Sequence, residues 1–86
     1  MLTKMLTAAA ALGFWFEATY DNDVDYAGDS IALTIEALEA CDEMELRVRD
    51  ADGTIVGWAF IVNGNGEDEQ IADCSGWVSD WIDENE

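Results

Sequence analysis

The segment spanning residues 45–62 constrains the fold most, because it predicts a β-hairpin. Apolar residues and arginines alternate over residues 46–49, which is the pattern of a half-buried strand with two cations on its outer face. Residues 50–53 have the composition of a tight turn, since Gly53 adopts left-handed backbone angles at almost no steric cost. Residues 55–62 are apolar on both faces. This second strand should therefore be central, either covered on both sides or paired along both edges.

The N-terminal segment, residues 2–12, carries apolar side chains at helical spacing. This spacing predicts an amphipathic helix that Gly13 ends with a left-handed cap. The single lysine and the run of alanines are also typical of a secretory signal. We interpret the segment as a structural helix, because a core-facing helix needs this periodicity and because an aromatic strand, residues 14–20, follows directly.

Apolar stripes predict two more helices. The first covers residues 31–42, with Asp29 or Ser30 as its N-cap and a stripe of Ile31, Ile35, Leu38 and Cys41. The second covers residues 67–83, and Gly76 either kinks it or ends it early. Its buried side is predicted to be Ile71, Cys74, Trp77, Val78, Trp81 and Ile82. We interpret Trp77 and Trp81 as core residues because they adjoin this stripe, although Trp is also over-represented at interfaces.

The predicted element order is α-β-α-β-β-α. It indicates an α+β fold in which helices pack on a small three-stranded antiparallel sheet. With 86 residues, the chain is expected to form a single domain over residues 1–86.

Charge is the strongest indication of function. The chain has 20 acidic residues and 3 basic ones, a net charge of −17, whereas a small domain ordinarily carries a charge of about 2–8 in magnitude. Nucleic acids, anionic membranes and acidic substrates are poor partners for such a surface, while basic proteins and cations are natural ones. No apolar run approaches the roughly 20 residues of a membrane span.

The residue types favour no catalytic chemistry. The chain has no histidine, which excludes imidazole catalysis and His-ligated metals. Acid–base catalysis needs two carboxylates in contrasting environments, and the acids here fall on faces predicted to be solvated alike. Cys41 and Cys74 fall on apolar helix faces, which favours buried free thiols over a disulfide. We therefore predict a protein that is not an enzyme and has no cofactor.

Residues 21–29 predict an acidic loop that is similar to the start of an EF-hand calcium loop. Carboxylates alternate from Asp21 and recur at the ninth position, Asp29. The similarity then ends, because the sixth position is Tyr26 where the motif needs Gly and the twelfth is Ala32 where it needs Glu. We interpret the loop as solvated and predict no metal site, with a weak cation site as the alternative.

Rows of carboxylates are the candidate partner-binding feature. Side chains three or four apart on a helix lie about 5–6 Å from each other, which is the scale on which successive phosphates follow along a nucleic-acid strand. A protein that recognises phosphates with Lys and Arg would meet carboxylates instead, in an association that salt weakens. The predicted partner-binding residues are Asp21, Asp23, Asp25 and Asp29 in the loop, Glu36, Glu39 and Glu43 with the second helix, and Asp73, Asp80, Asp83 and Glu84 on the third.

The hairpin and its sequel resemble small acidic proteins encoded by bacteriophages. The similar features are Asp-Ala-Asp-Gly at residues 50–53, Gly57-Trp58, Gly64-Asn65 and Asp73-Cys74-Ser75, after a helix, a Gly and an aromatic strand. More loosely, size and charge are similar to phage inhibitors of host defence, including anti-CRISPR proteins, some of which imitate DNA.

The resemblance implies a protein of the host-cell cytoplasm and no catalytic residues. The predicted function is an inhibitor that binds a basic host protein or complex of the nucleic-acid-binding defence kind, a CRISPR effector or similar, without binding nucleic acid or membrane directly. The alternative is a non-enzymatic structural or interaction domain whose acidity serves solubility or halophilic adaptation, and whose fold low salt would weaken.

Overall fold

The computed structural model describes residues 2–63 and 70–85, which form three helices and five strands. In chain order these are α1 (Leu2–Ala11), β1 (Trp15–Tyr20), β2 (Asp23–Gly28), α2 (Ile31–Leu38), β3 (Glu43–Arg49), β4 (Ile55–Val62), β5 (Ile71–Gly76) and α3 (Trp77–Asn85). All neighbouring strands are antiparallel, in the spatial order β2-β1-β3-β4-β5. The α+β class is confirmed, but the prediction of three strands and of the order α-β-α-β-β-α is wrong.

The predicted hairpin is present as β3 and β4. Its register pairs Leu46 with Ala59, and the Asp50 carboxylate accepts the backbone N–H groups of Asp52 and Thr54 at 2.9 and 3.0 Å. Gly53 takes the left-handed angle that the turn needs, with φ of +87°. Strand β4 is paired on both edges, by β3 and β5, as its two apolar faces indicate.

The predicted loop over residues 21–29 is wrong, because most of it forms strand β2. Tyr20 pairs with Asp23 across a two-residue turn in which Asp21 and Asn22 have φ of 50° and 68°. Two successive left-handed residues make the hairpin turn whose twist matches the flanking strands, and Asp and Asn tolerate that conformation better than most residues. The sequence did not indicate this hairpin, because the segment is acidic and its turn has Asp21 and Asn22 in place of the usual Gly.

The predicted third helix is wrong over its first half. Ile71–Gly76 is a strand that pairs with β4, placing Cys74 opposite Ala59, and the helix begins only at Trp77. Pairing with β5 overrides the helical period, because one face of β4 is buried in the core and the backbone N–H and C=O groups along its edge need partners. The predicted turn at Gly64-Asn65-Gly66 and the predicted helix start at residues 67–69 lie outside the described residues.

The core lies between one face of the sheet and the three helices. It consists of Leu2, Met5, Leu6, Ala9, Phe16, Ala18, Leu38, Met44, Leu46, Val48, Ala59, Ile61 and Val78, each at most 5% exposed. The strand residues among these pair with one another across β1, β3 and β4, so they share one face. The deep burial of α1 agrees with an amphipathic structural helix, and Gly13 after it has the expected left-handed φ of +82°.

Helix α2 is shorter than predicted and ends at Leu38. Ser30 caps it, because its Oγ accepts the backbone N–H of Leu33 at 3.2 Å. Cys41 and Cys74 are free and half-buried against the core. Trp77 and Trp81 also pack against the core, as predicted, and Trp77 meets Phe14 edge-on with ring centroids 5.5 Å apart. Within residues 2–63 and 70–85, no helix is long and apolar enough to cross a membrane.

Candidate functional site

All eleven predicted partner-binding residues are exposed, and the fold divides them into two groups. The larger group lies along β2, the turn before it, α2 and the start of β3; we name it the acidic edge. It consists of Asp21, Asp23, Asp25, Asp29, Glu36, Glu39 and Glu43. The second group, the β5–α3 acids, lies at the other end of the sheet and consists of Asp73, Asp80, Asp83 and Glu84. The rows of carboxylates predicted from the sequence therefore lie on two separate parts of the molecule.

The acidic edge is held together by the packing of α2 on β2. The backbone N–H of Ser30 donates to the Tyr26 hydroxyl at 3.0 Å, which ties the start of the helix to the strand. Asp25 on β2 and Glu36 on α2 consequently line one shallow groove, with the exposed side chain of Leu33 between them. Carboxylates far apart in the chain are thus brought onto one surface.

Two predicted positions within the helical rows are wrong. Glu43 opens strand β3, because α2 has already ended at Leu38. Asp73 lies on strand β5, where its carboxylate accepts the backbone N–H of Cys74 at 2.9 Å. On a strand, residues on the same side are about 6–7 Å apart, which is close to the spacing within a helical row. Glu43 and Asp73 can therefore still belong to rows of carboxylates, but these rows follow strands and not the predicted helices.

The acidic edge has no compensating cations in the part of the chain described here. The ion pairs within that part join Arg47 to Glu45 and Arg49 to Glu17, and no member of the acidic edge takes part. Seven carboxylates on adjoining elements therefore produce a strongly negative field along this edge of the molecule, which accelerates encounter with a positive partner.

The sheet face opposite the core is the feature that the sequence analysis missed. We name it the open face, because α1, α2 and α3 all pack on the other side. Cross-strand pairing gives it successive rows: Trp15 and Arg49; Glu17, Arg47 and Trp58; Thr19, Glu45 and Phe60. One end of the face therefore carries both arginines of the chain, and the other end carries carboxylates.

The arginine end is built by local contacts. Arg49 donates to Glu17 and to the carbonyl of Gly53, and its guanidinium lies 5.8 Å from the centre of the Trp15 ring. The Trp15 indole N–H donates to the carbonyl of Asp50 at 2.7 Å. The alternation of charged residues along β3 indicated that this strand has a polar face. The sequence could not show which residues of β1 lie opposite these charges, because that depends on the register between β1 and β3.

The residues described do not gather three or more Asp, Glu or Cys side chains into a group that could hold a metal ion. The carboxylates are spread over surfaces and grooves, an arrangement suited to contacting an extended positive partner. Chemically, the acidic edge can accept many hydrogen bonds from Lys and Arg side chains at once.

The chain matches no protein-family model, and no curated protein or solved structure is significantly similar to it.

Proposed function

We propose that this protein is a non-enzymatic inhibitor that occupies the nucleic-acid-binding surface of a basic protein, with the acidic edge imitating phosphates. The observation that carries the proposal is the gathering of seven exposed carboxylates along β2, α2 and the segments that flank them, with no ion pair to any of the seven within the described residues. Acidity that served solubility alone would need no such cluster of unpaired carboxylates along the β2 edge.

The spacing within the acidic edge supports this proposal. Asp23 and Asp25 both lie on β2, where Asp25 falls at a bulge in the pairing with β1, and Glu36 lies one helical turn, about 5–6 Å, before Glu39, the C-cap of α2. Because the helix packs on the strand, these form two neighbouring lines of charge. A surface with Lys and Arg side chains arranged for phosphates can pair with both lines.

The partner we propose is a host nucleic-acid-binding defence complex, a CRISPR effector or a similar nuclease, met in the host cytoplasm. The support for this finer identity is the resemblance of the hairpin and of the Asp73-Cys74-Ser75 segment to phage-encoded acidic proteins, together with the net charge of −17. Direct binding to nucleic acid or to an anionic membrane is opposed by the same charge.

Capture from a bacterial lysate tests the proposal. The immobilised protein is loaded at low salt, and bound material is eluted once with a salt gradient and once with duplex DNA. We expect one nucleic-acid-binding complex that both eluents release, because salt screens the contacts and DNA competes for the same basic surface. Recovery of many unrelated basic proteins, none of them displaced selectively by DNA, would indicate that the acidity serves solubility.

A further inference from the structure

The carboxylate end of the open face forms a groove of about 360 Å³. Its walls include Asp21, from the turn between β1 and β2, and two residues of β3, Glu43 and Glu45. Thr19 and Phe60 also line it, and they pair with Glu45 from the strands on either side of β3. Three carboxylates, an aromatic ring and a hydroxyl group therefore surround one open space.

Thr19 is the unusual residue of this groove. Its side chain is 1% exposed, and its Oγ1 has no hydrogen-bond partner among the described residues. Burying a hydroxyl without a partner is unfavourable, and native proteins satisfy nearly all such groups. The wall of the groove thus holds a hydroxyl oxygen that is closed to solvent, and a hydrogen-bond donor would satisfy it once the neighbouring side chains move.

Glu45 is the residue of the groove whose side chain is free to reorient toward a ligand. Its carboxylate lies 3.7 Å from the Arg47 guanidinium, which is too long for a hydrogen bond, and the side chain is 41% exposed. Such a contact contributes little stability, so Glu45 can turn toward a stronger donor. Because Glu45 pairs with Thr19 across β1 and β3, its movement also changes the surroundings of the Thr19 side chain.

We propose that this groove receives one arginine side chain of the protein partner. The proposal rests on the proposed function, since it names the partner group that is recognised where Asp21 and Glu43 of the acidic edge meet the open face. A guanidinium carries five N–H donors in one plane and stacks on aromatic rings. Glu45 and Glu43 accept from its edge, Thr19 accepts a further N–H, and the Phe60 ring lies against its face.

The geometry favours a guanidinium over a metal ion. Within the described residues, the three carboxylates are not close enough together to hold one metal ion. A guanidinium is larger than a metal ion, so it can contact carboxylates that are farther apart. A lysine ammonium is a compact point charge that reaches fewer of these acceptors at once.

A peptide titration followed by NMR tests the proposal. The probe is Gly-Arg-Gly with blocked ends, in about 0.15 M salt to suppress diffuse attraction, and the control is the same peptide with uncharged citrulline. We expect the Arg peptide to shift the signals of Thr19, Glu45 and Phe60 most, and the citrulline peptide to leave them in place. Shifts spread evenly over the acidic residues would overturn the proposal.

Two variants with equal charge make the test specific. Glu45→Gln should weaken Arg-peptide binding by about tenfold, the loss typical of one charge-assisted hydrogen bond, while Glu84→Gln on α3, outside the groove and the acidic edge, should leave it unchanged. Equal losses in both variants would refute a specific receptor. Thr19→Val provides a second check, because it removes the hydroxyl acceptor while keeping the shape of the side chain.

Failure of this proposal is distinguishable from failure of the proposed function. If Glu45→Gln leaves capture of the lysate partner intact and the Arg peptide finds no specific site, the groove is not a receptor although the acidic edge still binds. If the Arg peptide binds the groove but no partner that DNA displaces is captured, the groove is an arginine receptor and the proposed function fails.

Discussion

Substitution of Gly76 tests the part of the fold where periodicity and structure disagree. Gly76 joins β5 to α3 with φ of +64°, and a Cβ added there would lie 2.5 Å from the backbone carbonyl oxygen of Val56. An L-residue pays about 1–2 kcal/mol in this left-handed region, and forcing a methyl against backbone costs about 1–3 kcal/mol more. Gly76→Ala should therefore lower the free energy of unfolding by about 3 kcal/mol.

Gly13→Ala is the matched control. Gly13 is also left-handed, with φ of +82°, but a Cβ there meets nothing within 4 Å. Its substitution should cost only the conformational term, about 1–2 kcal/mol. The difference between the two variants isolates the steric contact of Gly76 with β4.

Urea titration followed by tryptophan fluorescence measures both changes, and thermal melting should show the Gly76→Ala loss as a fall in Tm of about 12–24 °C. A continuous helix over residues 67–83 would give the opposite sign, because Gly→Ala in a helix interior stabilises by about 1 kcal/mol. A Gly76→Ala variant as stable as the unsubstituted protein, or more stable, would refute the strand-to-helix junction.

Two further substitutions test contacts elsewhere in the sheet. The amide N–H₂ of Asn63 donates to the backbone carbonyls of Leu38 and Cys41 at 2.7 and 2.6 Å. Asn63→Ala should therefore lower the free energy of unfolding, measured by urea titration, by about 2 kcal/mol. A loss under about 0.5 kcal/mol would show that these two hydrogen bonds do not stabilise the fold. Thr19→Val removes a buried hydroxyl that has no partner, so it should raise the free energy of unfolding by about 1 kcal/mol, and a clear decrease would show that the hydroxyl is satisfied in solution.

Local patterns predicted the elements that local forces determine. The β3–β4 hairpin followed from alternation and turn chemistry, and α1 followed from its apolar stripe and Gly13, because each depends on residues close in the chain. Strand β2 escaped prediction because Asp21 and Asn22 replace the glycine that usually marks a two-residue hairpin turn. Strand β5 escaped because its pairing with β4 is a long-range contact that overrides a helical period.

The exposure of the candidate residues could be predicted from the sequence, and their arrangement could not. Exposure of the acids followed from their charge, and all eleven are exposed. Their division between two ends of the sheet depended on β2 and β5, the two strands that were missed. The groove around Thr19 depended further on register, since Glu45 and Phe60 meet it only through pairing across three strands.

The affinity of the captured partner, measured against salt for two triple variants, tests the central claim most directly. One variant neutralises three members of the acidic edge, by Asp25→Asn, Asp29→Asn and Glu36→Gln. The other neutralises three β5–α3 acids, by Asp80→Asn, Asp83→Asn and Glu84→Gln, and so has the same net charge.

We predict that the acidic-edge variant binds about 30-fold more weakly, at ~0.7 kcal/mol for each lost carboxylate, and that its affinity depends less steeply on salt. The β5–α3 variant should bind within about threefold of the unsubstituted protein, because only its net charge has changed. Equal losses in the two variants, or an affinity that salt leaves unchanged, would contradict phosphate imitation by the acidic edge.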